Sequence, residues 1–346
     1  MPRSASMITI ALDAMGPDAG PAVVVEGAAQ VSREEAPIRT LLVGDRDQIV
    51  PLLKRQSYDP QRLEVVHCTD WVRQDEKPGP ALDARPQCSA LVAAEIVGRG
   101  DADALVGAGS TGALILSASR KLERVEGVRR CALATVHPTE QQHGPHDDPF
   151  ALMLDVGATL TVDAEDLVSF AVMGSAYSRI ISSIEQPRVA LLSNGTEPTK
   201  GTPAIVEAHR LLSEMPGINF VGNVEGLDIP RGTVDVVVCE GFLGNVVLKM
   251  LEGVSEVVSD IAKDAYARKF LWKLGLMMLS EGIRQIRTMT DWRQYGGAPV
   301  LGFTRPVIKA HGRSNAWAIR NAIRVARKTV ERDLAGAIRA GLAGGG

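Results

Sequence analysis

Aromatic side chains are scarce in this 346-residue chain, at 4% Phe, Trp and Tyr, so aliphatic residues must fill its core. Cysteine is scarce too. Cys68, Cys88, Cys131 and Cys239 share no C-x-x-C spacing, and four in a chain this long make no disulfide framework. Each sits in or beside an apolar run, which predicts reduced core residues. No excess of one charge is present. The chain has 38 Lys and Arg against 41 Asp and Glu, a net charge of −3, so no global basic field exists to bind nucleic acid. An anionic partner must therefore meet a local patch. No apolar stretch approaches the roughly 18 residues that span a bilayer. The opening MPRSASMITIAL carries one Arg, a short apolar run and no leader pattern, which gives an expectation of a reducing cytoplasm.

What is present belongs to an ordinary globular protein: 45% hydrophobic, 23% charged, 34 Gly and 19 Pro. The length allows one large domain or two of about 150 residues. A chain of this size buries roughly three quarters of its unfolded surface, so its core needs no staples. No Pro- or Ser-rich linker divides it. The expectation is one domain over residues 7–330 and a flexible Ala/Gly-rich tail over 331–346 that frays.

Short β-rich runs ending in glycine-bearing loops recur, with helical periodicity after each. Strands are predicted near residues 7–12, 39–43, 103–106, 131–136, 151–154, 188–192 and 234–239. Helices are predicted over 89–99, 111–122, 164–183, 203–214, 244–267 and 314–332. Continuous apolar strands alternating with helices indicate an α/β fold with a mostly parallel sheet covered on both faces. In such sheets ligands sit outside the carboxyl ends of the strands, so these loops are expected to gather at one edge around one site.

Several loop residues fit an anion-binding cleft, each with a plainer reading beside it. Gly107-x-Gly109-x-x-Gly112 follows a strand and opens a helix, which is formally a dinucleotide fingerprint. The next strand lacks the acid that holds a ribose, since it runs into His137-Pro138. The turn can instead cradle phosphate through helix N-terminal N–H groups, with Ser110 and Thr111 adding hydroxyls, or serve only as a packing turn. Lys200 follows a strand-to-helix crossover, where an ammonium is either solvated or neutralises phosphate as a point charge. Asn245 is an N-cap or an oxyanion donor. His311 lies beside Lys309 in an apolar strand entering a loop, either structural or part of an anion site. Asp13 ends the first strand as a loop cap or a group that orients ligand. His137, His143, His146 and Asp148 match no zinc template, so residues 137–148 read as a solvated loop and no metal is expected.

Between Lys263 and Arg293 the chain is locally basic, with seven Lys or Arg against three acids. The almost wholly apolar run Phe270-Leu-Trp-Lys-Leu-Gly-Leu-Met-Met-Leu279 lies inside it. This is either a buried hairpin or dimer contact, or an amphipathic tip whose Trp and Leu enter a headgroup boundary while Lys and Arg meet anionic lipid.

In order along the chain stand Ala11-Leu-Asp-Ala-Met-Gly16-x-Asp18, Ala108-Gly-x-Thr-Gly-Ala-Leu114, Leu154-Asp-Val-Gly-Ala158 and Lys200-Gly201. They are followed by Gly232-Thr-Val-Asp-Val-Val-Val238, Glu240-Gly-Phe-x-Gly-Asn245, Gly296-Gly-Ala-Pro-x-Leu-Gly302 and Val307-Ile-Lys-Ala-His-Gly312. This set resembles the acyl-carrier-protein:phosphate acyltransferase family (PlsX) of bacterial phospholipid synthesis, over about residues 7–330. The resemblance implies a three-layer α/β/α, Rossmann-like fold related to phosphate acetyltransferases and the isocitrate dehydrogenase group, with a protruding helical hairpin. It implies conversion of fatty acyl–carrier protein and inorganic phosphate to acyl phosphate and free carrier protein, without a cofactor. It further implies a homodimer attached peripherally to the inner face of an anionic membrane, supplying a downstream glycerol-3-phosphate acyltransferase. Lys200 and Asn245 are its implied catalytic residues, with Asp13, Gly16, Gly109, Ser110, Thr111, Gly112 and His311 matching its cleft motifs. Residues 256–292 are the implied tip, with Leu271, Trp272 and Leu276 meeting lipid.

This chain departs from the family pattern at Pro17, Ser110 and Thr159 and within residues 83–89, where Pro86 and Cys88 stand in changed places. A divergent paralogue that binds carrier protein or membrane is the alternative these departures leave. A nucleotide-binding oxidoreductase, from the Gly107 fingerprint, is the further one.

Overall fold

Runs of Ile, Leu and Val, cut by glycine-bearing bends, become the strands of a computed structural model that describes residues 7–34, 36–143, 148–268 and 297–344. The first half of the chain forms β1 (Ile8–Asp13), α1 (Ala22–Ser32), β2 (Ile38–Gly44), α2 (Arg46–Leu53), β3 (Leu63–His67), α3 (Pro78–Ala84), α4 (Ser89–Gly98), β4 (Ala104–Gly107) and α5 (Thr111–Lys121). The middle forms β5 (Ala132–His143), β6 (Asp148–Leu154), α6 (Ala164–Tyr177), β7 (Arg188–Leu192), α7 (Pro203–Glu214), β8 (Asn219–Val224), α8 (Asp228–Arg231) and β9 (Val236–Val238). There follow α9 (Gly241–Arg268), β10 (Ala298–Leu301), β11 (Val307–Lys309), α10 (Ala316–Glu331) and α11 (Leu334–Ala343).

The strands make one sheet in the order β3-β2-β1-β4-β11-β10-β5-β6-β9-β7-β8. Among the described residues its pairings are parallel except at the centre, where β11–β10, β10–β5 and β5–β6 are antiparallel. That centre corrects the expectation of one shared carboxyl edge. The strands of the first half and the group β6, β9, β7, β8 run in opposite directions, so their following loops leave the ladder at opposite ends.

Alternation along the strands builds three layers. Ala11, Leu105, Val307, Leu133, Met153 and Val237 share one face, covered by α4, α5 and the first turns of α9. On the other face, Ile10, Leu12 and Ile308 pack under α1 and α10, while Leu152, Leu154 and Val236 pack under α6, α7 and α11. The α1–α10 crossing requires a glycine, since a Cβ on Gly27 would stand 2.7 Å from the Ala316 carbonyl oxygen and 2.8 Å from Ile319 Cβ. The outer strands are locked at one point by Arg188, whose guanidinium and backbone N–H all bond the buried Asp235 carboxylate across β7 and β9.

Four expected elements differ. Residues 137–143 are not loop but the continuation of β5, because His137 and Pro138 register against Ala151 and Phe150 of β6. The expected helix over 164–183 ends at Tyr177 and turns through a π-helical segment, Ser178–Ser182, closed by Ser183 in the left-handed region. Helix α9 begins at Gly241, three residues early, since Gly244 N–H already bonds the Glu240 carbonyl. The tail does not fray from Leu334: Asp333 caps α11 through the Gly336 N–H, and Leu334 and Ile338 bury beside α6.

With 28 residues, α9 is about 42 Å long at 1.5 Å per residue. It runs into the segment 256–292 expected to form the tip. Phe242, Val246, Met250, Val254, Val257, Val258 and Ile261 are all exposed on it, an apolar stripe at three- and four-residue spacing. The remainder of the tip, with Leu271, Trp272 and Leu276, lies outside the described residues. No helix among the described residues is long and apolar enough to cross a membrane.

Candidate active site

Three loops are stitched together at the ends of the neighbouring strands β1, β4 and β11. The Asp18 N–H bonds the Gly312 carbonyl, the Ala310 N–H bonds the Gly107 carbonyl, and Gln74 Nε2 donates to the Gly16 carbonyl. Gly16 and Gly109 touch backbone to backbone, so a Cβ on Gly16 would fall 2.2 Å from Gly109 Cα. Only two glycines permit that approach. Gly312 is less confined, with the side-chain ends Gln74 Nε2 at 2.9 Å and Asp18 Oδ2 at 3.1 Å from the place of a Cβ.

Helix α5 starts inside this cluster. Ser110 is its N-cap, accepting from the Ala113 N–H at 3.5 Å, a role that Asn fills equally well. The departure at this position therefore leaves the helix start intact. Gly109 and Thr111 face the cleft. Gly112 faces away, against Pro78 Cγ at 2.8 Å from the place of a Cβ, and so does packing work.

Beside these loops stands Lys309, at the end of β11. It is 7% exposed, lines the cleft, and donates through Nζ to the Ala310 carbonyl. Burial pushes its ammonium down to about 8, against the attraction of Asp18 and Asp13 and with Lys249 adding to the push. Asp13 sits behind the glycine turn. Burial pushes its carboxyl up, while the Met15 N–H and Lys309 pull it down. His311 lines the cleft beside them, and burial, Lys309 and Lys249 push it down while Glu252 pulls it up. Its Nδ1 accepts the Arg313 N–H at 3.1 Å, so the neutral ring carries its proton on Nε2. The sequence named Lys309 only as a neighbour of His311; its strand alternation toward the α5 and α9 face was the signal that it enters the cleft.

The opposite wall comes from the second half. Asp155, fully buried after β6, accepts the N–H groups of Leu133, Gly157, Ala158 and Thr159. Burial pushes its carboxyl up against those donors. This nest shapes the 155–159 loop, and the Thr159 hydroxyl donates to the Cys131 carbonyl at 2.9 Å. Gly244 lies directly on it, since a Cβ there would stand 1.9 Å from the Asp155 carbonyl oxygen. Asn245 follows, alongside Gly157, and lines the cleft with Leu248 and Lys249 one turn further along α9 and Glu252 two turns further. Asn245 is thus inside α9 and is not an N-cap.

Lys200 is not among the residues that line this cleft. It is exposed, on the loop after β7, with its stem against Gly195. The Lys200 N–H bonds the Glu197 carbonyl, and Asn223 Nδ2 donates to the same oxygen, holding the loop against β8. The structure therefore brings Gly109, Thr111, Asn245 and His311 together, backed by Asp13 and Gly16, and leaves Lys200 apart.

All four cysteines are free and buried as expected, and burial pushes Cys131 up to about 11 and Cys68 up to about 12, so neither is a ready nucleophile. The cleft volume is about 580 Å³. Ser314, on its wall, keeps a buried hydroxyl with no hydrogen-bond partner among the described residues.

The same chain path occurs in phosphotransacetylases. A crystal structure of a phosphotransacetylase from Streptococcus pyogenes superposes with a TM-score of 0.61 at 17% identity, covering 96% of this chain and 94% of that one. At the level of sequence, the profile of the family described as "Fatty acid synthesis protein" matches residues 8–336. The phosphate acyltransferase of Aliarcobacter butzleri (strain RM4018) is 41% identical over 317 residues, 92% of each chain. That of Desulfitobacterium hafniense (strain Y51) is 43% identical over 326 residues, 94% of each. The chain belongs to this fatty acid synthesis protein family, and it is an acyltransferase.

Proposed function

We propose that the cleft joins inorganic phosphate to a fatty acyl group delivered as a thioester on acyl carrier protein. A phosphate oxygen attacks the thioester carbonyl and forms a new C–O bond. The tetrahedral intermediate collapses with loss of the C–S bond, and the carrier thiolate takes up a proton. The products are acyl phosphate and free carrier protein.

Phosphate is a poor nucleophile until it is desolvated, charge-balanced and aligned, and alignment alone supplies up to about 7–11 kcal/mol of barrier lowering. The observation that carries the reading is the meeting of Lys309, His311 and the α5 N-terminus on one wall with the Asn245 carboxamide on the other. The first group holds the anion. Asn245 donates to the oxyanion of the thioester carbonyl, a contact worth about 10²–10³ in kcat. Lys200 does not line this cleft, and its contribution ranks below that of Lys309.

Two further statements belong to the same reading. The exposed apolar stripe of α9 supports a homodimer formed along that helix. The basic, Trp- and Leu-bearing segment that follows supports peripheral attachment to anionic membrane through Leu271, Trp272 and Leu276. Acyl phosphate, a reactive mixed anhydride, then passes to an acyltransferase that acts on glycerol 3-phosphate.

The test is release of carrier thiol from hexadecanoyl–carrier protein with and without orthophosphate. Release that rises with phosphate and yields acyl phosphate is expected. Release indifferent to phosphate rejects the reading.

A further inference from the structure

The sheet is nearly divided at its centre. Strand β10 pairs with β5 only through Val300 with Leu133 and Leu301 with Ala132. Beyond those two rungs the strands part. Ala298 and Pro299 stay with β11, while Ala134 through Pro138 stay with β6. A wedge is left between Gly297–Pro299 on one margin and Leu133–Val136 on the other, and residues of both margins line the cleft cavity.

The cavity passes through this wedge. On the near face lie the polar groups already described, with Leu248 of α9 beside them. On the far face it reaches Tyr177 and Ile181, at the end of α6 and in the π-helical turn, and Val325 and Lys328 of α10. At the far end Lys328 Nζ donates to the Ile181 carbonyl at 2.8 Å, tying α10 to the π-helical turn. Volumes of about 300–1,000 Å³, mostly apolar with a few convergent polar groups, are those of ligand sites, and 580 Å³ falls within them.

We infer that the wedge is the seat of the substrate's alkyl chain, with the carbonyl at Asn245 and the chain end between Ile181 and Val325. The inference rests on the proposed acyl-transfer reading and adds the place and the limit of the acyl chain. Continuity with the anion site selects this occupant, because only a ligand with a polar head and a long apolar tail fills both faces at once. The Lys328–Ile181 tie then acts as the stop that sets the longest chain accommodated.

Binding of octyl, dodecyl and hexadecyl phosphate, measured by calorimetry, needs no turnover and so tests the seat separately from the reaction. Wild-type affinity should rise with chain length. Val325→Trp and Ile181→Trp, on opposite walls, should each lower hexadecyl phosphate affinity about tenfold or more, the scale of one excluded methylene or several, and leave octyl phosphate within about twofold. Two variants guard against one that fails to fold, which a thermal melt would show. Affinity independent of chain length in the wild type, as a pantetheine arm in the wedge would give, overturns the inference. So does an equal loss at every length in a folded variant. Length-graded binding without phosphate-dependent thiol release would sink the acyl-transfer reading and leave the seat standing.

Discussion

Two lysine-bearing loops show how differently the halves of this molecule serve the cleft. Lys309 ends β11, the last strand of the chain, which joins the sheet beside β4, and it is buried among three glycine-containing loops that touch through their backbones. Lys200 follows β7 in the second half, exposed and held only through its backbone. Lys309 is the last residue of its strand, whereas Lys200 lies in the loop that follows β7. The antiparallel centre of the sheet separates them. A buried ammonium facing an anion site is worth far more than a solvated one, because water no longer screens it.

The sharpest way to break that comparison is to remove each cation. Lys309→Ala should cost about 10³ in phosphate-dependent thiol release, and Asn245→Ala about 10²–10³, the range for a lost oxyanion donor. Lys200→Ala should cost less than about tenfold, near the value of a surface charge contact. Rates for the three variants, with thermal melts to exclude unfolding, decide the ranking. Equal losses for Lys200→Ala and Lys309→Ala would place the loop after β7 at the chemistry.

The pH profile sharpens it further. Lys309 binds anion only when protonated, so activity should fall as pH rises through about 8. Stability should move the other way. Burial lowers the folded-state affinity for that proton below the unfolded one, so the unfolded chain binds more protons between about 8 and the usual value of 10.5. The contribution of Lys309 to stability therefore rises across that window while the rate falls. Lys200→Ala should keep both trends, and Lys309→Ala should lose both.

A smaller effect is expected where the second half meets solvent. Val254→Asp with Ile261→Asp, on the exposed stripe of α9, should convert dimer to monomer in sedimentation. The melting of the chain should shift little, because neither side chain packs into its own core. A dimer that persists would detach the stripe from assembly.

Much of this was legible in the order of residues. Apolar strands ending in glycine gave the α/β layers, and the spaced motifs gave the family. Gly109, Thr111, Asn245 and His311, singled out from helix starts and strand ends, all line the one cleft. The direction of the central strands was not legible, because a hairpin such as β5–β6 and its tie to β10 depend on partners far apart in sequence. That one unknown bears on the two lysines: Lys309 lines the cleft and Lys200 does not. Residues 137–143 were misread for a related reason: Pro138 beside His137 looks like loop until Phe150 is placed opposite. The tail was misread from its glycines, although Leu334 and Ile338 already stood one helical turn apart.

A crystal of the chain soaked in orthophosphate tests the central claim most directly. The account predicts the anion beside Lys309, His311 and the first N–H groups of α5, facing Asn245. Phosphate bound next to Lys200, with that cleft empty, would contradict it.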